Sequence, residues 1–150
     1  MLFRGKTIDE KWIEGFFLVR RLKCKGDKTY MSEESVISTG KCEISGAYGE
    51  HEEYFEYEVV PETIGQFTGL TDKNGTRIFE DDIVKVTDDN GSTMLCSCGI
   101  GCVCFYDGSW YIEGEVNDGL YDVDKIYYIE KIGNIHDNPE LLGGESDGKV

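Results

Sequence analysis

Turn chemistry constrains this chain more than any other feature. Nineteen glycines but only two prolines are spread along it, with Asn74-Gly75, Asn90-Gly91 and Asp107-Gly108 punctuating the second half. Asn-Gly and Asp-Gly accept the positive φ angles of tight turns, so each pair predicts a reversal between short strands. The intervening segments fit that expectation. In Glu53-Tyr54-Phe55-Glu56-Tyr57-Glu58-Val59-Val60, Phe55, Tyr57 and Val59 alternate with Glu56 and Glu58, predicting a half-buried strand that Pro61 ends.

The same reasoning places a hairpin at the N-terminus, from Phe3 to Thr7 and Trp12 to Arg20 around the polar turn Ile8-Asp9-Glu10-Lys11. Gly15 in its second arm predicts a bulge or a close backbone approach. Further strands are expected at Ile83 to Thr87, through the cysteine-rich segment after Asn90-Gly91, at Trp110 to Glu113 and at Tyr127 to Ile135. Leu120 to Ile126 suits a helical turn. Asn138-Pro139-Glu140-Leu141-Leu142 predicts a short helix, with Asn138 as cap and Pro139 at its first position. Residues 21–53 lack a clear pattern and are expected to form a variable excursion, with room for an extra hairpin. Residues 1–142 are thus expected to form one β domain, and 143–150 a disordered tail.

A chain of 150 residues buries roughly 68–70% of its unfolded surface, enough for a core without staples. No apolar run approaches the ~20 residues that span a bilayer, and the first residues lack a signal peptide's apolar segment. The expectation is no membrane partner, a cytoplasmic setting and reduced cysteines. The net charge is −15, unevenly placed. Residues 1–30 hold eight Lys or Arg against four acids, whereas Glu43 to Glu62 holds seven glutamates and no Lys or Arg. The acidic stretch repels phosphate, so nucleic-acid binding is disfavoured except through the basic N-terminal part.

Four of the six cysteines, Cys96, Cys98, Cys102 and Cys104, lie within nine residues as C-x-C-x3-C-x-C. Four thiolates make a closed zinc site, but that chemistry usually uses C-x2-C turns that converge two sulfurs on one ion. A spacing of two in an extended strand instead puts both side chains on one face about 7 Å apart, too far for a strain-free disulfide. A tight turn at Gly99-Ile100-Gly101 would bring the two pairs together for zinc or for redox switching. Without it these are small strand residues, with the two glycines forming a bulge. Of these readings the strand is favoured, with zinc on Cys96, Cys98, Cys102 and Cys104 as the metal alternative. Cys24 and Cys42 could add ligands, but nothing in their spacing requires it.

Several segments together resemble the YopX family of phage and prophage proteins. Phe3-Arg4-Gly5-Lys6 and Trp12-Ile13-Glu14-Gly15-Phe16-Phe17 are followed by Pro61-Glu62-Thr63-Ile64-Gly65-Gln66-Phe67-Thr68-Gly69-Leu70-Thr71-Asp72-Lys73-Asn74-Gly75. Glu80-Asp81-Asp82-Ile83-Val84 and Ile132-Gly133-Asn134-Ile135-His136-Asp137-Asn138-Pro139-Glu140-Leu141-Leu142 complete the order. The resemblance implies a mainly β fold, a barrel-like mixed sheet of SH3-like or pseudobarrel character with short helical segments. It brings no established reaction. Where the family usually has Glu-Gly-Asp-Ile, this chain has Glu80-Asp81-Asp82-Ile83. Asp81 is one of the few replacements that tolerates a left-handed glycine position.

Other candidate chemistry reads as turn formation. His51 sits among glutamates and is expected on the surface, and His136 beside Asp137 suits a local turn. Asp81-Asp82 and Asp88-Asp89-Asn90-Gly91 lack the alternating acids of a calcium loop. The resulting expectation is a phage-derived accessory protein that is not an enzyme, has no catalytic residues and needs no cofactor. It would act as a protein-interaction module, homo-oligomeric or docked on a phage or host protein. Open sheet edges and aromatic residues such as Trp12, Phe16, Phe17, Trp110, Tyr127 and Tyr128 supply the surface. The alternative is nucleic-acid association through Arg4, Lys6, Lys11, Arg20, Arg21, Lys23, Lys25 and Lys28.

Overall fold

A computed structural model describes the backbone at residues 1–23, 30–46, 49–93 and 98–143, and side chains there outside 23–31 and 41–54. The chain forms two compact units, residues 1–66 and 67–150. Both are mainly β, as the turn pattern requires. Every ladder among the described residues is antiparallel, and neither sheet closes into a barrel. The mixed, barrel-like sheet implied by the family resemblance is therefore corrected to open antiparallel sheets. Hairpin turns supply β1–β2 and β8–β9 as direct antiparallel neighbours, while β1–β5 and β7–β11 pair antiparallel across longer connections.

In the first unit β1 (Phe3–Lys6), β2 (Trp12–Lys23), β3 (Tyr30–Gly46) and β4 (Gly49–Glu58) pair in sequence. Within 21–53, expected as an excursion with room for an extra hairpin, the described residues 30–46 and 49–53 belong to the paired strands β3 and β4. The first residues of β5 (Gly65–Thr71) pair on the other side of β1, Phe3 opposite Gln66. Gly15 lies within the regular β1–β2 register, so it forms no bulge. It marks a close approach: a Cβ there would lie 2.1 Å from the Ser38 carbonyl oxygen and 2.9 Å from Ile37 Cγ2. Arg4 is buried, its guanidinium carbon 4.7 Å from the ring centre of Trp12. After β4 a 3-10 turn, Pro61–Thr63, is tied back to β1. Thr63 Oγ1 accepts the Lys6 N–H at 2.8 Å and donates to the Val60 carbonyl at 2.7 Å.

The second unit contains the remainder of β5, β6 (Arg77–Phe79), β7 (Asp82–Thr87), β8 (Gly99–Tyr106), β9 (Ser109–Gly114), β10 (Asp118–Gly119), α1 (Leu120–Ile126) and β11 (Tyr128–Asn134). Its sheet runs in the order β10-β9-β8-β7-β11. Val84, Val86, Val103, Trp110, Ile112 and Ile129 project from one face onto Leu120 and Val123 of the helix, and all are buried. Alternation along each strand supplies that apolar face, and the helix covers it.

Two loops of the same chemistry fix the hairpins. Asp72 Oδ1 accepts the N–H groups of Asn74 and Thr76, each at 2.9 Å. Asp88 Oδ1 accepts those of Asn90 and Ser92 at 2.9 and 2.8 Å. Gly75 and Gly91 take φ of 82° and 75°, the left-handed region that glycine enters without steric cost. Asp72 does more than Asp88, because its Oδ2 also accepts the Lys131 N–H of β11 at 3.0 Å. Burial alone would raise the Asp72 carboxyl. The backbone N–H groups of Lys131, Thr76 and Asn74 outweigh that and hold it below the usual 3.8.

Candidate functional site

The cysteine-bearing strand β8 was the strongest chemical candidate, and its geometry follows from its glycines. Gly99, Ile100, Gly101 and Cys102 pair with Val86, Lys85, Val84 and Ile83 in unbroken register. The expected bulge is therefore absent, and no tight turn brings the cysteine pairs together. Gly101 is needed for contact, since a Cβ would lie 2.5 Å from Ile112 Cγ2. Gly99 is needed for conformation, with φ of 132°.

Cys98, Cys102 and Cys104 are separated by even numbers, which in a regular strand would place all three on one face. They divide instead. Cys98 is 5% exposed in the core cluster with Val103, while Cys102 and Cys104 lie half-buried on the opposite face. The left-handed glycine at 99 breaks the alternation and turns Cys98 inward. Cys96 lies outside the described residues, as do Cys24 and the side chain of Cys42. Among the described residues no group of three His, Cys, Asp or Glu side chains is arranged to hold a metal.

The two outward thiols are held protonated. Burial, then the charges of Asp81, Cys104, Asp82 and Glu113, push the Cys102 thiol up to about 12. Cys104 is also raised, first by burial and then by Glu113, whose Oε2 lies 3.9 Å from its sulfur. A reactive cysteine needs an electropositive surrounding that stabilises thiolate, and these carboxylates do the reverse.

His136, which sequence placed in a turn, is there, and it also reaches across the fold. Its backbone N–H and that of Asp137 donate to Asn134 Oδ1, both at 2.9 Å, and its Nε2 lies 3.1 Å from Asp81 Oδ2. Asp81 has φ of 68°, the left-handed conformation expected at the glycine-replacing position. Its backbone joins β8 to the loop after β11, donating to the Val103 carbonyl at 2.9 Å and accepting the Ile135 N–H at 3.0 Å. Neighbouring Asp82, fully buried, accepts the Phe79 N–H at 2.8 Å and pairs with Lys131 Nζ at 3.2 Å. These carboxylates organise the β6–β7 corner and the loop after β11.

That loop leads to a second 3-10 turn, Pro139–Leu142. The expected capping role of Asn138 is corrected: its side-chain oxygen accepts no bond from the turn and faces the Asn134 N–H at 3.4 Å. Gly133 permits this, because a Cβ there would lie 2.6 Å from Asn138 Oδ1 and 2.9 Å from Leu141 Cδ1. The side chain of His51 lies outside the described residues.

Open antiparallel sheets, corners built on aspartate and asparagine side chains, and a motif whose glycines answer to packing define a class of small, mainly β proteins. The family model described as YopX protein matches residues 18–143, and the chain belongs to that family. A solved structure, the crystal structure of protein EF1440 from Enterococcus faecalis, is 27% identical with a TM-score of 0.56. That match covers 95% of this chain and 98% of the other. No curated protein sequence matches the chain.

Proposed function

We propose that this is a non-enzymatic accessory protein of phage or prophage origin, an interaction module that self-associates through strands β2 to β4. The phage origin rests on membership of the YopX family. One observation carries the self-association: large apolar side chains crowd this sheet and lie open to solvent. Phe16 is 57% exposed, Val19 50% and Phe55 46%, with Leu18, Leu22 and Tyr57 also exposed. Registers Phe16 to Ser38, Phe17 to Ile37 and Ile37 to Tyr57 put Phe16 and Leu18 on one face, Val19 and Tyr57 on the other. An isolated apolar side chain at a surface means little, but a concentration of them on one sheet marks an interaction site.

Among the described side chains of these strands, Arg20 pairs with Glu34 and Glu56, and Arg21 Nε lies 3.1 Å from Glu33 Oε1. Nine glutamates against four Lys or Arg leave strands β2 to β4 net acidic, so apolar contact rather than charge would hold a second copy there. The same pairs weigh against nucleic acid. Arg4 is buried against Trp12, Lys11 pairs with Asp9 at 3.1 Å, and Arg20 and Arg21 are bridged to glutamates. Phosphate contacts would have to displace those carboxylates. Lys25 and Lys28 lie outside the described residues.

The raised Cys102 and Cys104 thiols support the non-enzymatic reading, since a protonated thiol is a poor nucleophile. Metal content and free-thiol counting on freshly purified protein test the absence of a bound zinc. Sedimentation of the wild type beside Leu18→Lys and Phe55→Lys, one change per face, tests the oligomer. Dissociation of an assembly by either variant supports it, and identical sedimentation of all three proteins contradicts it.

A further inference from the structure

The outward face of β8 and β9 carries two cavities that meet at one carboxylate. The first, about 500 Å³, is lined by Cys104, Phe105, Tyr106, Tyr111, Glu113 and Asn117. The second, about 580 Å³, is lined by Ile100, Cys102, Glu113, Glu115, Leu141 and Leu142. Glu113 belongs to both. The register explains the arrangement: Cys104 faces Tyr111 and Cys102 faces Glu113, so thiols, an aromatic ring and a carboxylate share the surface.

We propose that this face is a binding groove for a basic segment of another protein, with a Lys or Arg side chain laid against Tyr111 and paired with Glu113. The proposal is separate from self-association through β2 to β4, and either can fail without the other.

Three features specify the ligand. The floor is apolar, from Ile100, Leu141 and Leu142 at one end to Tyr106 and Tyr111 at the other, and protonated thiols add no charge between them. Phe105, Tyr106 and Tyr111 are 53%, 71% and 39% exposed, which makes their rings accessible. The ring of Tyr106 stands edge-on to Tyr111 at 6.4 Å, and such rings present negative faces to a cation. Finally, among the described residues the charged side chains lining these cavities are Glu113 and Glu115, in a chain of net charge −15. Glu115 is partly committed, as its Oε2 accepts the Ile100 N–H at 2.7 Å, whereas Glu113 is exposed beside the rings. Apolar contacts that alternate with cations describe a basic, amphipathic peptide, and an anionic ligand such as nucleic acid would meet two carboxylates.

The test titrates an alternating lysine–leucine octapeptide into isotopically labelled full chain, following backbone amide shifts. A glutamate–leucine octapeptide serves as the control. Shifts centred on Cys104, Tyr106, Tyr111 and Glu113 are expected with the lysine peptide alone. Tyr111→Ala and Glu113→Gln, both at exposed positions, should each weaken binding about threefold or more, and added salt should weaken it further. The groove assignment is overturned if the lysine peptide does not bind, or if its shifts fall only on the glutamate-rich strand β4. It is equally overturned if the glutamate peptide binds as well, or if the double variant keeps wild-type affinity.

Discussion

His136 Nε2 lies 3.1 Å from Asp81 Oδ2, joining two motifs that are 55 residues apart in the chain. Asp81 occupies a left-handed corner between β6 and β7, and His136 sits in the loop that follows β11. The aspartate therefore serves the corner in two ways: it tolerates the backbone angle, and its side chain holds the distant loop. A glycine would satisfy only the first.

The two roles separate by mutation. Asp81→Gly removes the left-handed strain but also the His136 contact, so its stability should stay within about 0.5 kcal/mol of wild type. Asp81→Val puts a β-branched residue at φ of 68° and keeps neither benefit. It should cost about 1–2 kcal/mol or more in urea unfolding.

Asp72 makes stability depend on acid. Its folded pKa lies below the usual 3.8, so the unfolded chain takes up a proton first as pH falls. Its contribution is complete above pH 3.8 and is lost as pH falls further, through the folded value. Asp72→Ala should lower stability at neutral pH by about 1–3 kcal/mol, because three backbone N–H groups lose their acceptor. It should also flatten that part of the acid-unfolding curve, measured by circular dichroism between pH 2 and pH 7.

Gly15→Ala should be among the most damaging single-methyl changes in the first unit. The added carbon meets backbone, the Ser38 carbonyl, and a carbonyl held in a sheet moves less readily than a side-chain tip. Overpacking of this kind costs about 1–3 kcal/mol, read as a fall in the thermal midpoint. Gly75→Ala is a useful contrast, because a Cβ there meets nothing within 4 Å and only its φ of 82° resists the change.

The residues at 72–75, 81 and 88–91 show what local chemistry makes legible. Their conformations follow from short-range φ preferences and side-chain-to-backbone hydrogen bonds, which depend little on the rest of the fold. Phe55, Tyr57 and Val59 show the limit. Their period of two correctly announces a strand, but only Val59 is buried, because periodicity names a shared face without saying what covers it. The division of the cysteines has a backbone reason that spacing does not carry, since one left-handed glycine at 99 rotates Cys98 away from Cys102 and Cys104. The Glu113 groove was hidden for another. Its residues come from β8, β9 and the last turn, which only the completed register brings together.

Cys102 should resist alkylation. With its thiol pushed up to about 12, its thiolate fraction at pH 8 is smaller by about two to three orders of magnitude than that of a thiol at the ordinary 9.0. Iodoacetamide labelling read by peptide mass spectrometry should therefore leave Cys102 unmodified while exposed thiols react. Its labelling should rise with pH or on unfolding in urea, which removes both the burial and the nearby carboxylates.

Self-association through β2 to β4 is tested most directly by the mass of the native chain in solution. Light scattering on a sizing column should give at least twice the 16.9 kDa chain mass, and Leu18→Lys and Phe55→Lys should return it toward a single chain. A wild-type mass of 16.9 kDa, unchanged as concentration is raised, would contradict the account.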